Sequence, residues 1–371
     1  MNSRTIALLI VGALIVGGIA FLQSRKADVD VSAIARDAEI ILPGLSASEK
    51  AQTYERAREL TQPAGFVNTD PFQLKDVIGK KVILLDIWTY SCINCQRTLP
   101  YITEWDRKYR DDGLLVVGVH TPEFEFEKDI TNVKEATEQF NIEYPVVLDN
   151  DYGTWHAYGN RYWPRKYLID IDGFIVYDHI GEGGYAETEM KIKELLAERA
   201  EKLGEKINLN SGVAEIEVPE AITDAVPRSP EVYFGAWRNS TFGNGDPGVL
   251  GGFNLKRPTK FIRDIFYLVG SWNLYEQYAE NATADARLIY RYSGDKVFIV
   301  ARAENGARIR ILQDGEPIGA AAGADVDVDG YVHISDERLY KLVDNPGGAG
   351  EHLLEIIVED PGLNIFTFTF G

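Results

Sequence analysis

The chain has 371 residues, 45% of them apolar and 26% charged, which supplies enough apolar material for two packed domains and excludes wholesale disorder. Its 38 lysines and arginines face 57 acidic residues, a formal charge of −19. That balance excludes the basic footprint of a nucleic-acid binder and argues against adhesion of the soluble part to anionic lipid. Two cysteines rule out a disulfide-stapled scaffold and a four-cysteine zinc site, and five scattered histidines leave little for a mixed one, so no metal is expected.

Thr5–Leu22 is an apolar run of 18 residues with Arg4 before it and Arg25-Lys26 after. As a helix it is about 27 Å long, near the lower limit for a bilayer span. Residues 1–26 therefore read as a transmembrane helix anchoring the chain, or as a signal peptide cut after Ala20 at Gly18-Ile19-Ala20; the length of the run favours the anchor. Residues 27–64 are a tether with a short helix, which Ser46-Ala47-Ser48-Glu49 opens as a capping box and which is expected to reach about Leu60 before Pro63 and Gly65.

From 65 to 204 strand and helix alternate. Val82–Trp88, 114–119 and 145–148 are short, almost wholly apolar strands of the kind covered on both faces. Residues 166–171 and 174–180 flank Asp172-Gly173, a hairpin signal. Helices are predicted at about 92–109, 129–140 and 187–203, the last ending at Gly204, a natural C-cap. The pattern gives an α/β domain, a mixed sheet with flanking helices. Residues 205–229 carry Pro219 and Pro227 and read as a linker. From 230 to 371 the period becomes two, with strands at 286–292, 296–303 and 307–313 and alternating aromatic and hydroxyl residues at 365–370, so an all-β sandwich is expected.

Cys92-Ile93-Asn94-Cys95 follows a strand and opens a helix. A cysteine at a helix start faces outward-pointing N–H groups and the positive end of the dipole, which stabilises its thiolate. The second cysteine lies one turn further in. The first sulfur can attack a substrate disulfide and the second can resolve the mixed disulfide. An inert staple is a poor use of so short a loop, and a metal half-site is incomplete. The working redox group is then the Cys92–Cys95 disulfide itself, with no other cofactor.

The segment Asp86-Ile87-Trp88-Thr89-Tyr90-Ser91-Cys92-Ile93-Asn94-Cys95 resembles the active-site segment of the thioredoxin-like superfamily. Within it, LLDIWTYSCINCQRTLPYITEW is similar to the TlpA-type branch and to the C-terminal region of the DipZ proteins, as are Gly118–Glu127, Asp149–Tyr152 and Tyr158–Pro164. The resemblance covers roughly 65–203 with specific motifs. It continues more weakly through 230–371, where that family carries a jelly-roll-like sandwich resembling a carbohydrate-binding module. DipZ proteins place a polytopic electron-carrier domain ahead of the thioredoxin part, where this chain has one apolar segment. A separate transmembrane electron donor is then expected as a partner.

The resemblance implies roles residue by residue. Cys92 matches the nucleophile and Cys95 the resolving cysteine. Asp86 matches a buried acid that relays protons to the second cysteine, and a desolvated carboxyl is raised toward a working general acid/base. The TlpA alternative, an acid three residues after the second cysteine, finds Thr98. Trp88 matches the ring beneath the active-site loop, though plain core packing also fits it, and Pro100 matches the helix proline. Pro164 matches the loop proline held in cis facing the dithiol, which leaves the Trp163 backbone free to pair with an extended substrate. Trp88, Tyr90 and Trp163, with Tyr162, are candidate substrate-binding residues. His120 and Glu123 are expected near the site without a chemical step.

In the second domain Trp237, Trp272 and Tyr275, with Tyr233 and Tyr278, are candidates for a sugar-binding aromatic platform, glycans being a further candidate ligand; core packing explains the same residues. The expected function is a membrane-anchored thiol-disulfide oxidoreductase facing the periplasm or cell exterior. It would reduce disulfides of client proteins such as an apocytochrome in cytochrome c maturation or a secreted protein. A thiol peroxidase is the alternative on the same scaffold. Thr89-x-x-Cys92 superficially suits it, but Leu85 stands where such enzymes want proline. A carbohydrate-binding surface protein is the other alternative.

Overall fold

The computed structural model describes residues 45–209, 216 and 228–371. The apolar run at 5–22 and most of the linker lie outside the described residues. Among the described residues no helix is long and apolar enough to cross a membrane.

In chain order the first half comprises α1 (Ala47–Thr53), β1 (Gly65–Val67), β2 (Val82–Trp88), α2 (Ile93–Tyr109), β3 (Leu114–His120), α3 (Ile130–Gln139), β4 (Val146–Leu148), α4 (Gly153–Ala157), β5 (Arg165–Ile169), β6 (Ile175–Ile180) and α5 (Tyr185–Leu203). Six strands form one mixed sheet in the order β1-β4-β3-β2-β5-β6. β2 runs parallel to β3 and antiparallel to β5, and all seven of its residues are buried. That central place explains a sequence with no polar alternation. The β5–β6 hairpin turns at Asp172-Gly173, with Gly173 at a φ of 85° and its N–H donating to Asp170. α5 ends on Gly204 in the left-handed conformation, as its sequence requires.

The opening helix is shorter than its sequence suggests. α1 stops at Thr53 rather than near Leu60. The following residues pair instead with the hairpin: the Ala57 N–H donates to Gly173 O and the Ile175 N–H to Glu55 O. Leu60 packs into the apolar layer under β2 and β5. Lys50 of α1 is buried, its ammonium joined to Asp170 at 2.5 Å, Asp172 at 3.0 Å and Glu198. Residues 47–64 are thus docked on the α/β half, and the three carboxylates spaced to hold a metal are bridged by that ammonium.

The second half is all β: β7 (Val232–Tyr233), β8 (Gly251–Leu255), β9 (Phe266–Leu274), β10 (Ala279–Asn281), β11 (Ala286–Gly294), β12 (Lys296–Arg302), β13 (Ala307–Gln313), β14 (Glu316–Pro317), β15 (Tyr331–Ile334), β16 (Arg338–Asp344), β17 (Gly350–Val358) and β18 (Asn364–Phe370). These 12 strands make one continuous hydrogen-bonded network rather than two separate sheets. β9 is the reason. Its first part pairs with β11, and from Gly270 onward it pairs with β8 and β10. Gly270 sits at a φ of 91°, and a Cβ there would lie 3.3 Å from the Ala286 Cα, so the bend needs glycine. Facing rings such as Tyr290 and Phe370, 5.4 Å apart, fill the interior. Trp272 is fully buried in that core, with its indole N–H donating to Val269 O. It therefore cannot belong to an exposed sugar platform. Trp237 is 71% exposed, and Tyr275 stacks on Tyr278.

Both halves belong to one compact unit. Phe298, Val300, Leu339 and Phe366 of the β half share an apolar cluster with Tyr90, Ile93, Phe124 and Phe126 of the α/β half. Phe366 lies 5.1 Å from the Phe124 ring and 4.9 Å from Phe126. Replacing Phe366 by alanine is expected to cost about 3 to 4 kcal/mol of stability. Urea unfolding followed by tryptophan fluorescence measures this, and a loss under about 1 kcal/mol would show that the seam is not tightly packed.

Candidate active site

Cys92 is the N-cap of α2, held extended at φ −80° and ψ 118°, with its carbonyl accepting the Gln96 N–H. The preceding strand β2 ends four residues earlier, so the short turn 89–91 carries the chain from the strand to the sulfur. Cys92 is half-buried and Cys95 is 1% exposed, and both are free thiols. Burial pushes the Cys95 thiol well up, helped by its hydrogen bond and charge contact with Cys92 and by the charge of Asp86, while the Thr89 backbone pulls the other way. The outer sulfur is thus the accessible one and the inner sulfur holds its proton, an asymmetry suited to attack by the first and delayed attack by the second.

Asp86 lies in the middle of β2, 1% exposed. Burial pushes its carboxyl up to about 6, against the opposing charge of Lys166, which faces it across the β2–β5 pair. Lys166 is itself fully buried, its ammonium donating to Gly181 O at 3.1 Å, and burial lowers its affinity for a proton. Across β3 the position opposite Asp86 is Gly118, where a Cβ would lie 2.9 Å from the Trp88 Nε1 and 3.1 Å from the Tyr144 ring. Asp86 Oδ1, Trp88 Nε1 and the Tyr144 hydroxyl are all buried without a hydrogen-bond partner. Burial raises Tyr144, and the charges of Asp86 and Cys95 raise it further. Unpartnered polar atoms cost stability, and their concentration beneath a reactive thiol marks the region as shaped for chemistry.

The Trp163-Pro164 bond is cis. Trp163 is half-buried, its indole N–H donating to Thr121 O at 2.9 Å and its ring 4.2 Å from Trp155, and Tyr162 is exposed. These two rings remain available to a client. Two other expected client contacts do not. Trp88 is wholly buried, its ring edge-on to His120 at 5.1 Å, and lies in the core beneath the loop. Tyr90 is 5% exposed because the β half covers it. Trp88 has no exposed surface, and Tyr90 keeps only the small edge that lines two clefts bordered by the β half.

The β half also reaches the C-x-x-C dipeptide. Ile93 is 1% exposed, and with Asn94 it lines a cleft of about 370 Å³ whose far wall is Thr369 and Phe370. Arg97, one turn on, lies over the Phe298 ring at 5.5 Å. The dithiol thus has a fixed intrachain neighbour that local sequence patterns do not announce.

Several residues that sequence reasoning missed, or left without a chemical step, stand at the site. His120 is fully buried behind the loop, stacked 5.6 Å from Tyr90, and burial lowers its affinity for protons to about 3, so it is neutral there. Glu127 is fully buried and accepts the Ser91 hydroxyl at 2.6 Å. Lys166 and Tyr144 come from segments that give no sign in sequence of converging on a thiol. Pro100 sits inside α2, as expected, and Thr98 donates to Asn94 O at 2.9 Å.

Residues 55–196 match the family described as Redoxin, and residues 229–371 match the Thioredoxin like C-terminal domain. Protein DipZ of Mycobacterium tuberculosis (strain CDC 1551 / Oshkosh) is 35% identical over 321 residues, covering 85% of this chain and 43% of DipZ. The chain thus spans less than half the length of that relative. Thiol-disulfide oxidoreductase YkuV of Bacillus subtilis is 31% identical over 140 residues, 38% of this chain and 93% of YkuV. Thiol-disulfide oxidoreductase ResA of Bacillus thuringiensis is 32% identical over 134 residues, 35% of this chain and 74% of ResA.

The raised Asp86 carboxyl has a thermodynamic signature. Between pH 4 and 6 the unfolded chain has lost this proton while the folded one keeps it, so stability falls as pH rises through that window. Asp86→Asn is expected to flatten the fall and to gain on the order of 2 to 3 kcal/mol at pH 7. Denaturant unfolding at pH 4 and pH 7 measures both, and an equal stability change at the two pH values would contradict the burial argument.

Proposed function

The chain belongs to the thioredoxin-like family of thiol-disulfide oxidoreductases, and from that premise we infer that it reduces disulfides in client proteins outside the cytoplasm. The observation that carries this reading is the pairing of a half-exposed thiol at a helix start with a buried, protonated thiol beside a desolvated carboxyl.

The steps follow from those positions. The Cys92 thiolate attacks one sulfur of a client disulfide, and that S–S bond breaks to leave a mixed disulfide and a client thiolate. Asp86, ionised in part near neutral pH, accepts the Cys95 proton, by way of the polar region beneath the thiol. The Cys95 thiolate then attacks the Cys92 sulfur, releasing the second client thiolate and closing the Cys92–Cys95 disulfide. Two electrons have passed from the protein to the client. A separate dithiol donor must reopen the ring, and no other cofactor is required. Pro164 and the Trp163 backbone, with the exposed Tyr162, suit an extended client segment.

An extracytoplasmic setting is supported by the chemistry, since disulfide clients persist in oxidising compartments, and by the apolar run at residues 5–22, which suits an anchor. Of the residues named for a sugar platform Trp237 and Tyr275 keep exposed rings, and the reading rests on that exposure alone.

Full-length protein carrying Cys95→Ala is expected to accumulate client adducts on Cys92, identified by non-reducing electrophoresis and mass spectrometry. Cys92→Ala should abolish reduction of insulin disulfides with dithiothreitol as donor, lowering the rate at least about 100-fold. Undiminished insulin reduction in Cys92→Ala would overturn the assignment.

A further inference from the structure

Between the two halves stands the turn 123–127, which faces both ways. On its outer side the Glu123 carboxylate accepts from the Tyr233 hydroxyl at 2.9 Å and Arg238 at 2.8 Å, and the Glu125 N–H donates to Gln277 Oε1 at 2.9 Å. Phe124 and Phe126 press on Phe366. On its inner side Glu127 is fully buried and the reaction makes no use of its proton. Its Oε2 accepts the N–H groups of Glu123 at 2.5 Å and Phe124 at 3.0 Å. Its Oε1 accepts the Ser91 hydroxyl at 2.6 Å and the Ser91 N–H at 3.4 Å. Ser91 is the residue immediately before Cys92.

We propose that Glu127 is a positioning residue for the dithiol: by gripping Ser91 it sets the direction of the Cys92 sulfur at the helix start, and through the turn 123–127 it ties that direction to the β half. A carboxylate out of water is costly unless every lone pair finds a donor, so its full burial here needs a return. Here the return is geometric. Both hydrogen-bond donors of Ser91 point to one oxygen of one side chain, which restricts the torsional freedom of the residue just before the nucleophile. Ser/Thr and acidic residues often organise turns locally, but this bond spans 36 residues and joins the active-site turn to a separate loop. Burial pushes the Glu127 carboxyl up, while the Ser91 and Thr89 hydroxyls and the Phe124 N–H pull it down, consistent with a group held for its hydrogen bonds.

The inference rests on the proposed exchange reaction only in taking Cys92 as the attacking thiol. The test is alkylation of Cys92 by iodoacetamide in the reduced full-length protein, followed by peptide mass spectrometry across pH 5 to 9. This readout needs no client, so a failure of the exchange reaction in the unaltered protein would count against the proposed function without touching the comparison between variants. Ser91→Ala and Glu127→Gln are each expected to slow alkylation at pH 7 by about five- to tenfold, and to move the midpoint of the pH–rate curve. Because both act on the same Ser91–Glu127 contact, the double variant should be no slower than the slower single variant. Arg238→Ala, which loosens the outer side of the turn, is expected to slow the reaction by about twofold in the same direction. Should Glu127→Gln fail to fold, Ser91→Ala and Arg238→Ala carry the test. Folded variants with the parent rate and midpoint would overturn the proposal, as would single effects that multiply in the double variant.

Discussion

A carboxyl group kept from water inside an apolar strand is the constraint on which this structure turns. β2 must be covered on both faces to bury Val82 through Trp88, and the sheet and helices are arranged around that requirement. Placing Asp86 in its middle opposes the same requirement, because an ionised carboxylate has no solvation there. The fold accommodates it with a buried lysine on the neighbouring strand, a glycine opposite that admits an indole and a phenol, and several polar atoms left without partners. Stability is given up at this point. What results is a carboxyl raised toward neutral pH within electrostatic reach of the buried Cys95 thiol.

The β half changes the character of this site. In an isolated α/β domain the turn before the dithiol and the dipeptide inside it would face solvent. Here Tyr90 and Ile93 are buried, Arg97 lies over a ring of the β half, and Phe366 packs against the loop that grips Ser91. One side of the dithiol is therefore a fixed wall of the same chain. The Trp163–Pro164 side keeps an exposed Tyr162 and a half-buried Trp163, while Ile93 and Asn94 open into a cleft walled by the β half. The β half thus contacts the surroundings of the dithiol through packing.

Much of the α/β half was legible because its signals are local. A run with no polar alternation is a doubly covered strand, Asp-Gly between two such runs is a hairpin, and glycine after a periodic helix ends it. The failures have physical causes. A helix does open at Ala47, right after Ser46, but it ends at Thr53 because the next residues gain backbone pairing with Gly173 and Ile175, a contact about 120 residues away that no local pattern encodes. In the β half, β8 and the bent β9 escaped notice. Their glycines break the alternation that marks a strand, yet at Gly270 that break lets one strand serve two parts of the sheet. Among Glu123, Glu125 and Glu127 the alternation with phenylalanine gives no sign of which carboxylate is buried. Only the 3-10 turn of Glu125–Lys128 rotates Glu127 inward.

The amino-acid sequence by itself determined the order of elements in the α/β half, the place of Cys92 at a helix start with Cys95 one turn deeper, and the acid on the strand leading to them. These depend on spacing along the chain, and spacing is visible in one dimension. The tertiary structure alone decided which aromatic rings keep exposed surface and which are core, that Lys166 and Tyr144 meet Asp86, that Glu127 holds Ser91, and that the β half walls one side of the dithiol. Those relations are contacts between segments far apart in the chain. They are selected by the burial of apolar surface shared among many residues, which no single stretch of sequence records.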